Sequence, residues 1–210
     1  MSLAADRTQA LVDRLRANTL GALELYTLYL GERLGLYRAL ADGEPVTSSE
    51  LAERTRTAER YVREWLEQQT ASGLLDVDDP AAEALARRYR MPPEHVPVLA
   101  DPDHLLYDAY KGVDIVRAAR PLPDLVEAFR TGGAPPPLPW EPEGRAEFNR
   151  AIFLNLLGTE WLPAIPDVDP RLRADPPARV ADVACAGGRA SRWPARTPRS
   201  RCRGSTSTRT

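Results

Sequence analysis

The segment Arg179-Val180-Ala181-Asp182-Val183-Ala184-Cys185 reads as a buried parallel strand, and it runs into a glycine turn, Gly187-Gly188. A parallel strand needs paired neighbours and cover on both faces, so this opening of an α/β layer calls for several more strands. The sequence after it has a different character. From Ala186 to Thr210 there is no Asp or Glu, while there are seven Arg, Pro194, Pro198 and many Ser and Thr. Residues 1–186 carry a net charge of −9 and the last 24 carry +7, which together make the bland total of −2. The strand is therefore expected to lack neighbours within this chain. Residues from about Pro170 onward are expected to be poorly ordered, and 189–210 to be disordered.

The first 186 residues read as an ordinary globular protein. Two distant cysteines, Cys185 and Cys202, give neither a disulfide framework nor a metal-ligand pair. No basic-then-apolar leader opens the chain and no apolar run reaches the roughly 18 residues of a membrane span. A cytoplasmic protein without membrane contact is the expectation.

Apolar spacing predicts helices over 6–17 and 21–41. The second is apolar nearly all round at its start, so it needs cover on more than one face. A partner subunit or burial within one subunit would both serve. Thr47-Ser48-Ser49-Glu50 is a capping box for a helix at 48–54. Arg56-Thr57 is a tight turn, and a helix at 58–72 stops at Gly73. Leu74–Val77 and Arg88–Met91 read as a hairpin around Asp78-Asp79-Pro80. Helix, turn, helix and hairpin in that order make a winged helix. Helices at 103–119 and 122–130, a Pro-rich linker at 132–139 and a helix at 144–162 complete the pass.

A winged helix raises the question of DNA, with helix 58–72 as the reader. Residues 1–100 hold twelve Arg against sixteen Asp and Glu. The reading helix itself sets Glu59, Glu64 and Glu67 against Arg60 and Arg63. Phosphate neutralisation supplies most nonspecific affinity, so DNA is not the expected partner. A winged helix used for dimerisation or as one wall of a substrate pocket is preferred.

Val180 to Gly188, taken with Leu34-Gly35-Leu36-Tyr37, Ser49-Glu50-Leu51-Ala52, Tyr61–Leu66, Ala71–Leu75 and Arg88–His95, resembles class I S-adenosylmethionine-dependent methyltransferases with an N-terminal winged helix, of the actinobacterial type. The resemblance covers nearly all of residues 1–186. It implies a mainly α chain: a winged-helix domain over 1–100, a helical connector over 101–165, and a truncated Rossmann-like stub over 166–188. An Arg-rich tail, 189–210, follows. It implies S-adenosylmethionine as cofactor, held by Asp182, Ala184, Cys185, Gly187 and Gly188. It further implies a small-molecule methyl acceptor and a homodimer through the N-terminal helices. Phe148 and Asn149 stand where cover over the cofactor is expected, with packing the other role for Phe148. Ala186 departs from the pattern, standing where the first loop glycine belongs.

That slip suggests a shifted reading frame. Trp193-Pro194 is encoded TGG-CCN, which yields alanine when read from each third base. The same shift over Gly204–Thr208 permits Val-Asp-Leu-Asp, the form of a second strand ending on a ribose-binding acid. The alternative is a genuine basic tail for nucleic acid or an acidic partner. Under the first reading methyl transfer by this chain is not expected. The rival functions are a DNA-binding regulator and a non-catalytic dimerisation remnant.

His95 and His104 lack a second ligand or nucleophile at a telling spacing and read as surface or capping residues. Tyr107, Tyr110 and Trp140 read as core or pocket lining. Asp101, Asp103 and Asp108 read as an acidic cluster at a helix N-terminus, and Cys185 as a small packing residue.

Overall fold

The computed structural model describes residues 3–136, 142–176 and 178; the side chains of 3–5 and 142–148 are left aside. The predicted strand at 179–184, the glycine turn and the tail therefore lie outside the described residues. Two compact units result. One comprises residues 3–101 with 107–136, the other 102–106 with 142–176 and 178.

The first unit is helical around a small wing. Its elements are α1 (Leu3–Leu34), α2 (Leu36–Ala39), α3 (Ser48–Thr55), α4 (Glu59–Ala71), β1 (Asp76–Val77), β2 (Tyr89–Arg90), α5 (Val96–Leu99), α6 (Lys111–Ala119) and α7 (Leu122–Thr131). The two expected N-terminal helices are one, 32 residues long. Its break falls later, at Gly35, which takes a left-handed conformation (φ 71°) and starts α2. A helix through 41 was the wrong expectation because Gly35 sits inside an apolar run, where spacing cannot tell a tolerated glycine from a turn.

The helix-turn-helix forms where its signals lie. Thr47 Oγ1 accepts from the Glu50 amide (3.2 Å) and the Glu50 carboxylate accepts from the Thr47 amide (2.7 Å). This is a closed capping box, and the Thr47 amide holds the Glu50 carboxyl below its ordinary range. Gly73, at φ 73°, ends α4 as expected. β1 and β2 pair antiparallel, Asp76 opposite Arg90 and Val77 opposite Tyr89. Val46 bridges Tyr89 on its other side through two 2.8 Å hydrogen bonds, so the wing has a third strand residue. Leu36, Tyr37, Leu40, Leu51, Val62, Leu66, Leu75, Tyr89 and Met91 are buried together beneath it.

Two glycines fix how helices meet. Gly31 of α1 lies against the ring pair Tyr37 and Trp65, and an added Cβ would fall 2.3 Å from Tyr37 Cε2. Gly112 of α6 touches the α1 backbone directly: its Cβ would fall 2.3 Å from the Tyr29 nitrogen and 2.7 Å from the Leu25 oxygen. The expected helix at 103–119 is shorter for a related reason. Residues 102–110 turn so that the Asp108 and Ala109 amides reach the Val98 carbonyl, and α6 starts at Lys111.

The second unit contains α8 (Pro142–Leu156), a π-helical turn at Leu157–Trp161 and α9 (Asp169–Arg173). Phe153 and Trp161 meet edge to face at 5.9 Å. Arg150 pairs with Asp103 through both carboxylate oxygens, and Asn155 Nδ2 donates to the Asp103 carbonyl at 2.7 Å.

Replacing Gly112 with Ala is expected to cost about 1–3 kcal/mol or more, because the clash is with backbone that no rotamer relieves. Gly21 lies mid-helix with open space where its Cβ would be. Gly21→Ala is expected to gain roughly 0.5–1 kcal/mol from helix propensity. Urea unfolding of both variants checks the contrast.

Candidate functional site

The surface a winged helix would offer to nucleic acid is formed by α4 and the wing. Its inner face is occupied by packing: Val62, Trp65, Leu66 and Gln69 are buried. Trp65 Nε1 donates to the Thr27 carbonyl of α1 (3.0 Å) and packs edge to face on Tyr37 at 5.1 Å. Gln69 is wholly buried. It accepts from the Tyr37 hydroxyl (2.5 Å) and donates to Thr27 Oγ1 (3.0 Å), which in turn donates to the Glu24 carbonyl (2.8 Å). Burial, reinforced by the Glu24 and Glu32 carboxylates, pushes the Tyr37 phenol far above its ordinary range and keeps it a donor.

The outer face is neutralised by its own carboxylates. Of the eight arginines from Arg38 to Arg90, seven have a carboxylate oxygen within 4 Å. Arg60 meets Glu64 at 3.1 Å and Arg63 meets Glu59 at 3.4 Å along α4. Arg87 reaches Glu67 at 2.8 Å, Arg88 reaches Glu50 at 3.3 Å, and Arg90 lies 3.5 Å from Asp76 and 3.8 Å from Asp78. Exposed pairs of this kind add little stability. Their consequence is electrostatic: the guanidiniums that phosphates would need already face anions.

Between α4 and the wing the buried Tyr89 hydroxyl has no hydrogen-bond partner in the protein, and the buried Arg63 Nε has only the ion-pair contact to Glu59 at 3.4 Å, outside hydrogen-bond geometry. Arg87, beside Tyr89, directs Nη1 to Glu67 and Nε to the Ala82 carbonyl at 3.0 Å. Burial raises the Tyr89 phenol above its ordinary value. A third such atom is Nη1 of Arg117 on α6, whose Nη2 donates to the Tyr110 hydroxyl (3.2 Å). Asp114, one turn before it, is raised by burial against the pull of Arg117 and Lys111.

The cofactor residues expected from the sequence, Asp182, Ala184, Cys185, Gly187 and Gly188, lie outside the described residues, as do Trp140 and the Phe148 side chain. Of the other candidates, His95 Nδ1 contacts the Leu74 carbonyl at 3.0 Å, and His104 Nδ1 accepts from the Leu106 amide at 3.1 Å. His95 thus ties its turn to the chain just after α4, 21 positions earlier, and His104 holds its own turn. The Tyr107 hydroxyl donates to Glu32 (2.6 Å), a carboxylate also held by Arg38. Asp103 engages Arg150 and Asp108 lies 3.9 Å from Lys111. The acidic trio does not stand at a helix N-terminus, because α6 begins only at Lys111. Among the described residues no three His, Cys, Asp or Glu side chains gather as metal ligands. None of their helices is long and apolar enough to cross a membrane. Sequence reasoning missed Gln69 and Tyr37 as a buried polar pair because they stand 32 positions apart, and it missed Arg117 as a buried cation beside Tyr110.

The architecture has known counterparts. Residues 21–101 match the Rv2258c-like winged HTH domain. Human N-acetylserotonin methyltransferase, solved in complex with SAM, is similar in structure at 19% identity and a TM-score of 0.50, over 72% of this chain and 46% of that one. The mitomycin 7-O-methyltransferase MmcR is similar at 23% identity and a TM-score of 0.50, over 71% and 45%. No curated protein matches in sequence. The chain thus carries an Rv2258c-like winged helix and shares its fold with part of these methyltransferases. It spans less than half their length.

Tyr89→Phe removes a hydroxyl without a protein partner, so stability is expected to be unchanged or raised by up to about 1 kcal/mol. A loss of more than about 1 kcal/mol in chemical denaturation would mean the hydroxyl is satisfied and the reading of this cluster is wrong.

Proposed function

We propose that this chain is the winged-helix and connector part of an S-adenosylmethionine-dependent methyltransferase acting on a small-molecule acceptor in the cytoplasm. In this reading residues 1–100 form the association and substrate-side domain and 101–165 a helical connector. Residues 166–188 open the cofactor domain, and 189–210 are a tail outside it. Asp182, Ala184, Cys185, Gly187 and Gly188 are the cofactor turn. Bound S-adenosylmethionine would supply an electrophilic methyl group. Proximity and alignment of acceptor and methyl are what a protein of this class contributes.

The observation that carries the reading is the internal pairing of the winged helix. Seven of eight arginines face carboxylates, and Trp65 and Gln69 on the inner face of α4 both bond Thr27 of α1. A winged helix so arranged is suited to association rather than to phosphate contact. The fold likeness to two methyltransferases supports the same reading. The second reading, a DNA-binding regulator, would be favoured by a duplex mobility shift that Arg56→Ala or Arg60→Ala abolishes.

These 210 residues alone are proposed not to transfer methyl groups, because the turn has Ala186 where the first glycine belongs and the next strands of a cofactor layer are not legible after it. Isothermal titration of the chain with S-adenosylmethionine is expected to show no binding tighter than about 1 mM. A micromolar dissociation constant that Asp182→Ala weakens at least tenfold would support the assigned turn and overturn the inactivity.

A further inference from the structure

Among the described residues Arg117 is the one buried charged side chain, at 9% exposure. It follows the buried Val113 by one turn, on the helix α6 whose Gly112 touches the α1 backbone. A guanidinium taken out of water costs free energy unless its donors find acceptors. Here they do so only in part. Nη2 donates to the Tyr110 hydroxyl at 3.2 Å, but Nη1 has no hydrogen-bond partner. The Asp114 carboxylate stands 3.9 Å from Nη1, close enough to offset its charge and too far to accept a hydrogen bond.

Tyr110, Asp114 and Arg117 stand at i, i+4 and i+7, which sets them along one edge of the helix. The Arg117 guanidinium carbon lies 5.9 Å from the centre of the Tyr110 ring. The Tyr110 oxygen accepts from Arg117, which leaves its own proton as a second donor beside Nη1. Solvent reaches this edge, because the Asp114 side chain is 29% exposed and Tyr110 is half-buried. Two donors without acceptors call for a ligand atom that carries lone pairs. The charge of Arg117 is already offset by Asp114, so an anion would bring an unbalanced negative charge next to that carboxylate. A neutral carbonyl oxygen supplies both lone pairs and no charge.

We propose that Arg117 and Tyr110 bind the carbonyl oxygen of an uncharged small molecule, such as an amide, and that Asp114 selects against carboxylates. Arg117 Nη1 and the Tyr110 hydroxyl donate to that oxygen. The three side chains belong to the first unit, and their role does not depend on the methyltransferase reading, which cofactor titration tests separately. A purely structural Arg117 would behave differently, since removing it would cost stability. An Arg117 kept for a ligand has an unmet buried donor when no ligand is bound. Arg117→Met is therefore expected to leave the melting temperature unchanged or to raise it.

Nuclear magnetic resonance of the full chain, isotope-labelled at arginine, tests the site with benzamide and benzoate as probes at neutral pH. The Arg117 Nε–H signal is identified by its loss in Arg117→Met. Benzamide is expected to shift that signal saturably, with a dissociation constant of about 1–10 mM. Benzoate is expected to bind at least about fivefold more weakly. Tyr110→Phe keeps the ring and removes one donor, and is expected to weaken benzamide by about fivefold or more. Asp114→Asn is expected to bring benzoate level with benzamide. An Arg117 signal that benzamide leaves unmoved up to about 50 mM would overturn the site. Benzoate binding as tightly as benzamide to the unaltered chain would overturn the neutral class of ligand. A melting temperature lowered by several degrees in Arg117→Met would make Arg117 a structural tie and would overturn the proposal as well.

Discussion

The packing of α1 against α4 at Gly31 governs the rest of the first unit. A glycine there lets Tyr37 and Trp65 lie directly on the α1 backbone, and that approach brings Gln69 within reach of both Tyr37 and Thr27. The result is a buried polar chain in which each donor finds an acceptor, the condition under which buried polar groups specify a unique arrangement instead of weakening it. It also commits the inner face of α4. The helix that would read a major groove is tied to α1 at Thr27 by its tryptophan and glutamine.

The two faces of α1 then have different fates. One is covered by α6, whose Gly112 meets α1 backbone to backbone. The other keeps its leucines and Tyr26 in solvent. A winged helix with its arginines paired internally and an apolar stripe uncovered is physically suited to meeting another protein surface. The charged and the apolar surfaces of this unit are physically distinct. Phosphate attraction is damped by Glu50, Glu59, Glu64 and Glu67 standing beside the guanidiniums.

Local signals carried the helix-turn-helix into the sequence reading. The capping box at Thr47–Glu50 and the left-handed stop at Gly73 depend on residues within a few positions of each other, and both stand where the pattern put them. Gly35 was misread because a glycine amid leucines has no local mark that distinguishes a turn. The stretch 103–110 was misread as helix because its turn is set by amides bonding back to Val98. Gln69 gave no signal at all: its partners lie about 30 to 40 positions away, and a polar residue on an apolar face looks like noise until the fold pairs it. The cofactor turn was legible as a pattern of strand and small residues, but it lies outside the described residues, so its chemistry stays a proposal.

The most direct test of this lock, in which Tyr37 of α2 meets Gln69 of α4 beside Thr27 of α1, is a double-mutant cycle on Tyr37→Phe and Gln69→Leu, followed by urea denaturation. Each single change leaves a buried polar group without its partner, whereas the double change removes both. The account predicts that the double variant loses at least about 1 kcal/mol less stability than the sum of the singles. Additivity within about 0.5 kcal/mol would show that the two side chains do not act together, and the lock would not be the constraint that orders this fold.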